Sequence, residues 1–218
     1  MVPIVLAIAS GPEQSGLVAS LARPGGNVTG AATREREFPP KRVELLKEMV
    51  TGMRRFAVLA NADIPSAYKL WSERYGEFAQ KVNLQMTMLS ARSADEFAPA
   101  LDGAVRAGVQ AVVGVADVVH FTERKRLAEQ LARVRLPAIY PVEEYVEAGV
   151  LASYGIDNAD QFRRGAGYVD RILRGAKPAD LPVEEPTSYS LAINLETARA
   201  LGIKVPQAVL LRATSVIE

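Results

Sequence analysis

Between positions 55 and 173 the chain alternates short apolar runs with amphipathic stretches of helical spacing. A regular strand–helix alternation of this pitch argues for a parallel sheet covered on both faces. The clearest repeat starts at FAVLA, residues 56–60, an apolar run with no turn residue that reads as a buried strand. It stops at Asn61-Ala62-Asp63, where polar turn chemistry begins. Pro65 and Ser66 then open a helical pattern over 66–82, with Tyr68, Leu70, Trp71, Tyr75 and Phe78 available for an apolar face. Strand, polar turn and helix start in that order make half of a βαβ unit. In such sheets ligands gather at the carboxyl ends of the strands, beside the helix N-termini.

The same reading predicts strands at 84–89, 109–115, 137–140 and 150–154, and helices at 94–107 and 122–134. A helical turn follows at 143–147. A longer helix spans 158–174, with Asn158 as its N-cap and Gly175 as its stop. Earlier in the chain, 3–9 reads as a strand, Ser10-Gly11-Pro12-Glu13 as a turn and 15–22 as a helix ended by Arg23-Pro24-Gly25-Gly26. Residues 28–32 are a strand or extended link, 34–40 are irregular, and 41–50 form an amphipathic helix. Beyond 176 come a proline-rich connector (177–186), a strand (190–194), a helix (195–201) stopped by Gly202, and a last helical turn (206–212). The expected organisation is a partial N-terminal lobe with a crossover helix (1–54), an α/β lobe (55–176), and a connector leading into a segment that returns to the first lobe (177–218). Residues 1–53 offer one or two strands, too few to close a doubly wound sheet.

Composition removes several classes of function. The formal net charge of +1, from 26 basic and 25 acidic residues, gives no basic face for a phosphate backbone, so no nucleic-acid partner is expected. There is no cysteine and His120 is the only histidine, which removes disulfides, thiol nucleophiles and Cys- or multi-His-ligated metals. No apolar run reaches the ~18–20 residues that cross a bilayer. Met1-Val2 leads straight into PIVLAIAS, which reads as a strand rather than a signal peptide. Neither GxGxxG after a strand, nor GxxxxGK[ST], nor GxSxG is present; GPEQSG at 11–16 lacks the phosphate-loop lysine. No cofactor is expected and the chain does not read as an enzyme.

Four segments carry a family likeness: SGLVASLARPGGNVTG at 15–30, KRVELLKEMV at 41–50, RLPAIYPVEEYVEAGVLASYG at 135–155 and YVDRILRGAKPADLPVEEPTSYSLAINLETARALGI at 168–203. In order and spacing the chain resembles the substrate-binding proteins of ABC transporters related to tryptophan- and tyrosine-type binding proteins, over essentially its whole length. The resemblance implies an α/β, two-lobe fold similar to type I periplasmic binding proteins, with parallel sheets flanked by helices and a ligand cleft between the lobes. It also implies reversible capture of a small molecule, such as an amino acid, a cognate ABC permease as partner, and a periplasmic or extracytoplasmic location. The family's leading signal and first βα units have no counterpart here, so the N-terminal lobe is expected to be incomplete.

On that reading the turns after the strands line the cleft. Ser10 and Gly11 offer a hydroxyl and backbone N–H groups to a carboxylate, and Asn61, Asp63 and Ser66 follow the next strand. Ser66 has the alternative role of capping its helix. Asp117 ends an apolar strand and is the candidate for a ligand ammonium, with local turn bonding as its alternative. His120, just beyond, reads as structural. Tyr140, at the end of PAIY, is placed to stack on or hydrogen-bond a ligand, with Glu143 and Glu144 after it; Tyr154, in Ser153-Tyr154-Gly155, reads similarly. The connectors 33–40 and 177–186 are the expected hinges. An unpaired edge at strand 3–9 predicts a homodimer through the incomplete lobe. The alternatives left open are a ligand-sensing module whose output a partner supplies, a folded remnant that binds nothing, and a carboxylate-based α/β enzyme.

Overall fold

The structure, a computed structural model, describes residues 1–33, 38–186 and 188–218. It divides the chain into two compact units. The smaller comprises Met1–Glu37 and Ile156–Tyr189, the larger Phe38–Gly155 and Ser190–Glu218.

The larger unit is built on a seven-stranded sheet. Its strands are β3 (Arg55–Ala60), β4 (Gln85–Ser90), β5 (Ala111–Gly114), β6 (Ala138–Tyr140), β7 (Ala152–Gly155), β8 (Ser190–Asn194) and β9 (Ser215–Ile217), in the order β4-β3-β5-β6-β7-β8-β9. The first five run parallel, and β8 pairs antiparallel with β7, so the expected parallel sheet carries an antiparallel extension. Because side chains alternate across a strand, β3 sends Phe56, Val58 and Ala60 to one face and Ala57 and Leu59 to the other. The first face is covered by α1 (Phe38–Met49), α2 (Pro65–Lys81), α8 (Leu195–Leu201) and α9 (Gln207–Leu210), through Val43, Leu46, Trp71, Tyr75, Ala198 and Val209. The second is covered by α3 (Phe97–Arg106), α5 (Arg124–Arg133) and α6 (Glu144–Glu147), through Phe97, Leu101, Leu127, Leu131 and Tyr145. The five-residue α4 (Val118–Thr122) leads into α5. The central strands β3, β5 and β6 are apolar because both of their faces are buried, while the edge strands β4 and β9 leave side chains exposed.

In the smaller unit β1 (Ile4–Leu6) pairs in parallel with β2 (Val28–Gly30), and α7 (Asn158–Leu173) packs on both. A small core of Val18, Val28, Ala32 and Val183 joins them. Tyr168 of α7 donates its hydroxyl proton to the Pro182 carbonyl at 2.5 Å, and Thr29 bonds the Leu181 carbonyl at 2.6 Å. Residues 177–186, expected as a hinge, are therefore tied into this unit.

Several expectations are corrected. The helix expected at 15–22 is a series of turns. Gly16 adopts a left-handed φ of +71°, and the Leu17 and Val18 amides both turn back to the Pro12 carbonyl, so no helical ladder propagates. The crossover helix α1 belongs to the larger unit, since Val43, Leu45, Leu46 and Met49 are buried in its core. Helix α7, expected in the later lobe, sits on β1 and β2 instead. Residues 190–218 add β8 and β9 to the larger sheet rather than returning to the first unit. Asp157, not Asn158, caps α7, accepting from the Asp160 amide at 3.1 Å. Of the hinge expected at 33–40, residues 34–37 lie outside the described residues, and 38–40, expected as irregular, are the first residues of α1.

Asn194 closes the C-terminal crossover. Its side-chain oxygen accepts from the Thr197 amide at 2.8 Å as the N-cap of α8, and its amide donates to the Val146 carbonyl at 3.2 Å. Asn194→Ala removes a cap and one of the two hydrogen bonds to the Val146 carbonyl, which keeps the Gly149 amide, so urea unfolding should show a loss of about 1–2 kcal/mol.

Candidate functional site

The order β4-β3-β5 means that the chain steps outward from β3 to β4 and then returns across it to β5. The crevice outside the carboxyl ends of β3 and β5 is thus the topological switch point of the sheet, the place where such folds take ligands. Leu59 is in register with Gly114, so the residues that follow these strands, Asn61 and Ala116-Asp117, leave the sheet side by side.

Asn61 is nearly buried, and its side-chain oxygen accepts from the Asp63 amide at 2.9 Å, which holds the turn and projects Asp63 into solvent. Ser66 does not cap α2. Pro65 takes the first helical position, so the cap is Ile64, whose side chain offers no hydrogen bond. Asp117 is the N-cap of α4, with Oδ1 accepting from the His120 amide at 2.9 Å. The expected local bonding of Asp117 is therefore present, and its half-exposed carboxylate keeps further acceptor capacity.

His120 is fully buried, and its Nε2 donates to the Ala91 carbonyl at 2.8 Å, with its ring edge-on to Phe97. Tyr140 is not available for stacking on a ligand. It is fully buried in central strand β6, its ring lies over the Cα of Gly114, and it stacks on Tyr145 with centroids 4.2 Å apart. Among the described residues the hydroxyls of Tyr140 and Tyr145 have no hydrogen-bond partner. Burial, reinforced by the nearby Asp117 charge, pushes both phenols well above their ordinary range, so both stay protonated. Glu143 occupies the cap position of α6, half-buried, without a side-chain cap bond. Tyr154 sets its ring edge-on to Phe38 at 5.9 Å, and its carbonyl accepts from Arg42. Ser10, exposed, bridges to Thr33, and Gly11 accepts the Ser15 hydroxyl; both lie in the smaller unit.

The larger unit therefore brings together Asn61, Asp63 and Asp117 as the polar face of its switch point. Sequence reasoning missed two apolar residues there: Ile64 and Val118, 47% and 81% exposed. Pro65 was the available signal for Ile64, because a proline at the first helical position marks the residue before it as the cap. Among the described residues no group of three or more His, Asp or Glu is arranged to hold a metal ion, and no helix is long and apolar enough to cross a membrane.

An α/β unit with this strand order and a polar switch point defines a protein of the type I periplasmic-binding-protein class. The family model described as ABC transporter substrate binding protein matches residues 1–217, and the chain belongs to that family, whose members bind a substrate rather than convert it. It is similar to the ABC domain from Streptococcus pneumonia solved in complex with L-Trp, at 28% identity and a TM-score of 0.85. That likeness covers 99% of this chain and 72% of that one. A conserved domain protein from Vibrio cholerae O1 biovar El Tor is likewise 28% identical with a TM-score of 0.85, over 98% of this chain and 71% of its own. A tyrosine-binding protein of Clostridioides difficile is 26% identical over 119 residues, 55% of this chain and 31% of that protein.

Proposed function

We propose that the protein reversibly captures a small zwitterion, an amino acid with an apolar side chain, for an ABC import system. The observation that carries this reading is the side-by-side emergence of Asn61 and Asp117 at the β3/β5 switch point, with the acidic groups Asp63 and Asp117 beside it. A carboxylate in a partly shielded crevice attracts an ammonium group, and no motif for converting the ligand accompanies it. The relatives crystallised with L-Trp or named for tyrosine favour an aromatic amino acid. Work outside the cytoplasm and delivery to a cognate permease follow from the same reading.

A thermal-shift screen of the twenty amino acids tests it, because a ligand that binds only the native state raises Tm. L-tryptophan or L-tyrosine should raise Tm. In calorimetry Asp117→Asn should weaken that binding at least tenfold while keeping the cap of α4, since asparagine caps as well as aspartate. No stabilisation by any amino acid would overturn the proposal.

A further inference from the structure

Ile64 and Val118 stand at the same switch point, one on each side of the sheet. Ile64 precedes α2, which packs on one face through Trp71 and Tyr75. Val118 opens α4, whose His120 ring packs edge-on against Phe97 on the other face. Each is a poor choice for its local position. An N-cap prefers Ser, Thr, Asp or Asn, and Ile ranks among the worst residues there. A β-branched residue at an exposed helical position gains nothing from packing and loses side-chain freedom. Asn61 and Asp117 leave the adjacent strands β3 and β5 here, and Ile64 and Val118 follow them by three positions and by one. Places where a chain breaks its own local rules without a structural return are where function is expected.

We infer that Ile64 and Val118 are specificity-determining residues, closing on the apolar side chain of the ligand from opposite sides while Asp117 holds its charged end. This rests on the reading of the protein as an amino-acid binder. The pair selects a broad, flat apolar side chain over a short or charged one. A short side chain leaves both residues in water, and a charged one loses hydration against them.

The test titrates L-tryptophan and L-serine into the wild-type chain, Ile64→Ser, Val118→Ser and the double variant, with Tm measured without ligand. Each substitution should weaken L-tryptophan about tenfold, and the pair about a hundredfold, from the apolar area no longer buried. L-serine binding should stay within twofold. Ile64→Ser should at the same time raise the ligand-free Tm, because it installs a favourable cap. A role in folding would move stability and affinity down together, whereas ligand selection moves them apart. If the wild type binds L-tryptophan and the double variant binds it equally well, the inference falls and the amino-acid reading stands. If the wild type binds no amino acid, both fall.

Discussion

Gly114→Ala should cost the larger unit about 3–5 kcal/mol, enough to leave it largely unfolded at 37 °C. Gly114 ends β5, next to β3 on one side and β6 on the other. A methyl group there would overlap Cε1, Cδ1 and Cζ of the Tyr140 ring, far inside van der Waals contact. The ring has nowhere to go. It is fully buried, and Tyr145 stacks on it. Interiors packed to crystal density transmit such an insertion to the backbone rather than absorb it. The glycine and the ring form one cross-strand unit, in which an aromatic side chain covers the bare Cα of its neighbour. Tyr140→Val alone should cost about 2–4 kcal/mol by opening a cavity. Because both substitutions act on the same space, Gly114→Ala with Tyr140→Val should cost less than the sum of the two. Urea denaturation of the four proteins measures this coupling, and strictly additive losses would show that the ring moves freely.

The same residues show what could be read from the sequence and what could not. The central strands of the larger sheet were legible because both of their faces are buried, which leaves uninterrupted apolar runs such as 56–60. Asn61 and Asp117 were legible because polar turn residues interrupt those runs at the carboxyl end. Strand β9 was not, since three residues, Ser-Val-Ile, are too short for any period to register. Helix α7 was found, but its unit was not. An amphipathic pattern says which residues face a core and is silent about which core. Tyr140 was misjudged for a related reason. Its position at a strand end suggested exposure, while its burial depends on a glycine 26 positions earlier in the neighbouring strand. The apolar residues at the switch point escaped attention because an exposed isoleucine or valine looks like core when only the sequence is in view.

Arg42→Met should destabilise the larger unit by about 2–4 kcal/mol, although methionine preserves most of the apolar stem. Arg42 is the largest fully buried side chain in the protein's described residues. A guanidinium stripped of water must be repaid by directed partners. Its Nε donates to the Tyr154 carbonyl at 2.9 Å, and its Cζ lies 5.4 Å from the centroid of Phe38, whose ring meets Tyr154 edge-on. These contacts join the first turn of α1 to the last residues of β7. They adjoin two of the three places where the chain passes between units, Glu37/Phe38 and Gly155/Ile156, the third being Tyr189/Ser190. Arg42 thus ties the first entry into the larger unit to the exit from it. Arg42→Lys should recover little, because an ammonium lacks the planar fork that bonds a carbonyl while lying against a ring. Phe38→Leu should show coupling of about 1 kcal/mol with Arg42→Met in a double-mutant cycle. Hydrogen exchange gives the local readout. The amides of β7 and β8 should lose protection in Arg42→Met, whereas those of β3 and β4, far across the sheet, keep theirs relative to the global stability. Uniform loss across the sheet would mean that Arg42 contributes only to overall packing and does not staple the crossover.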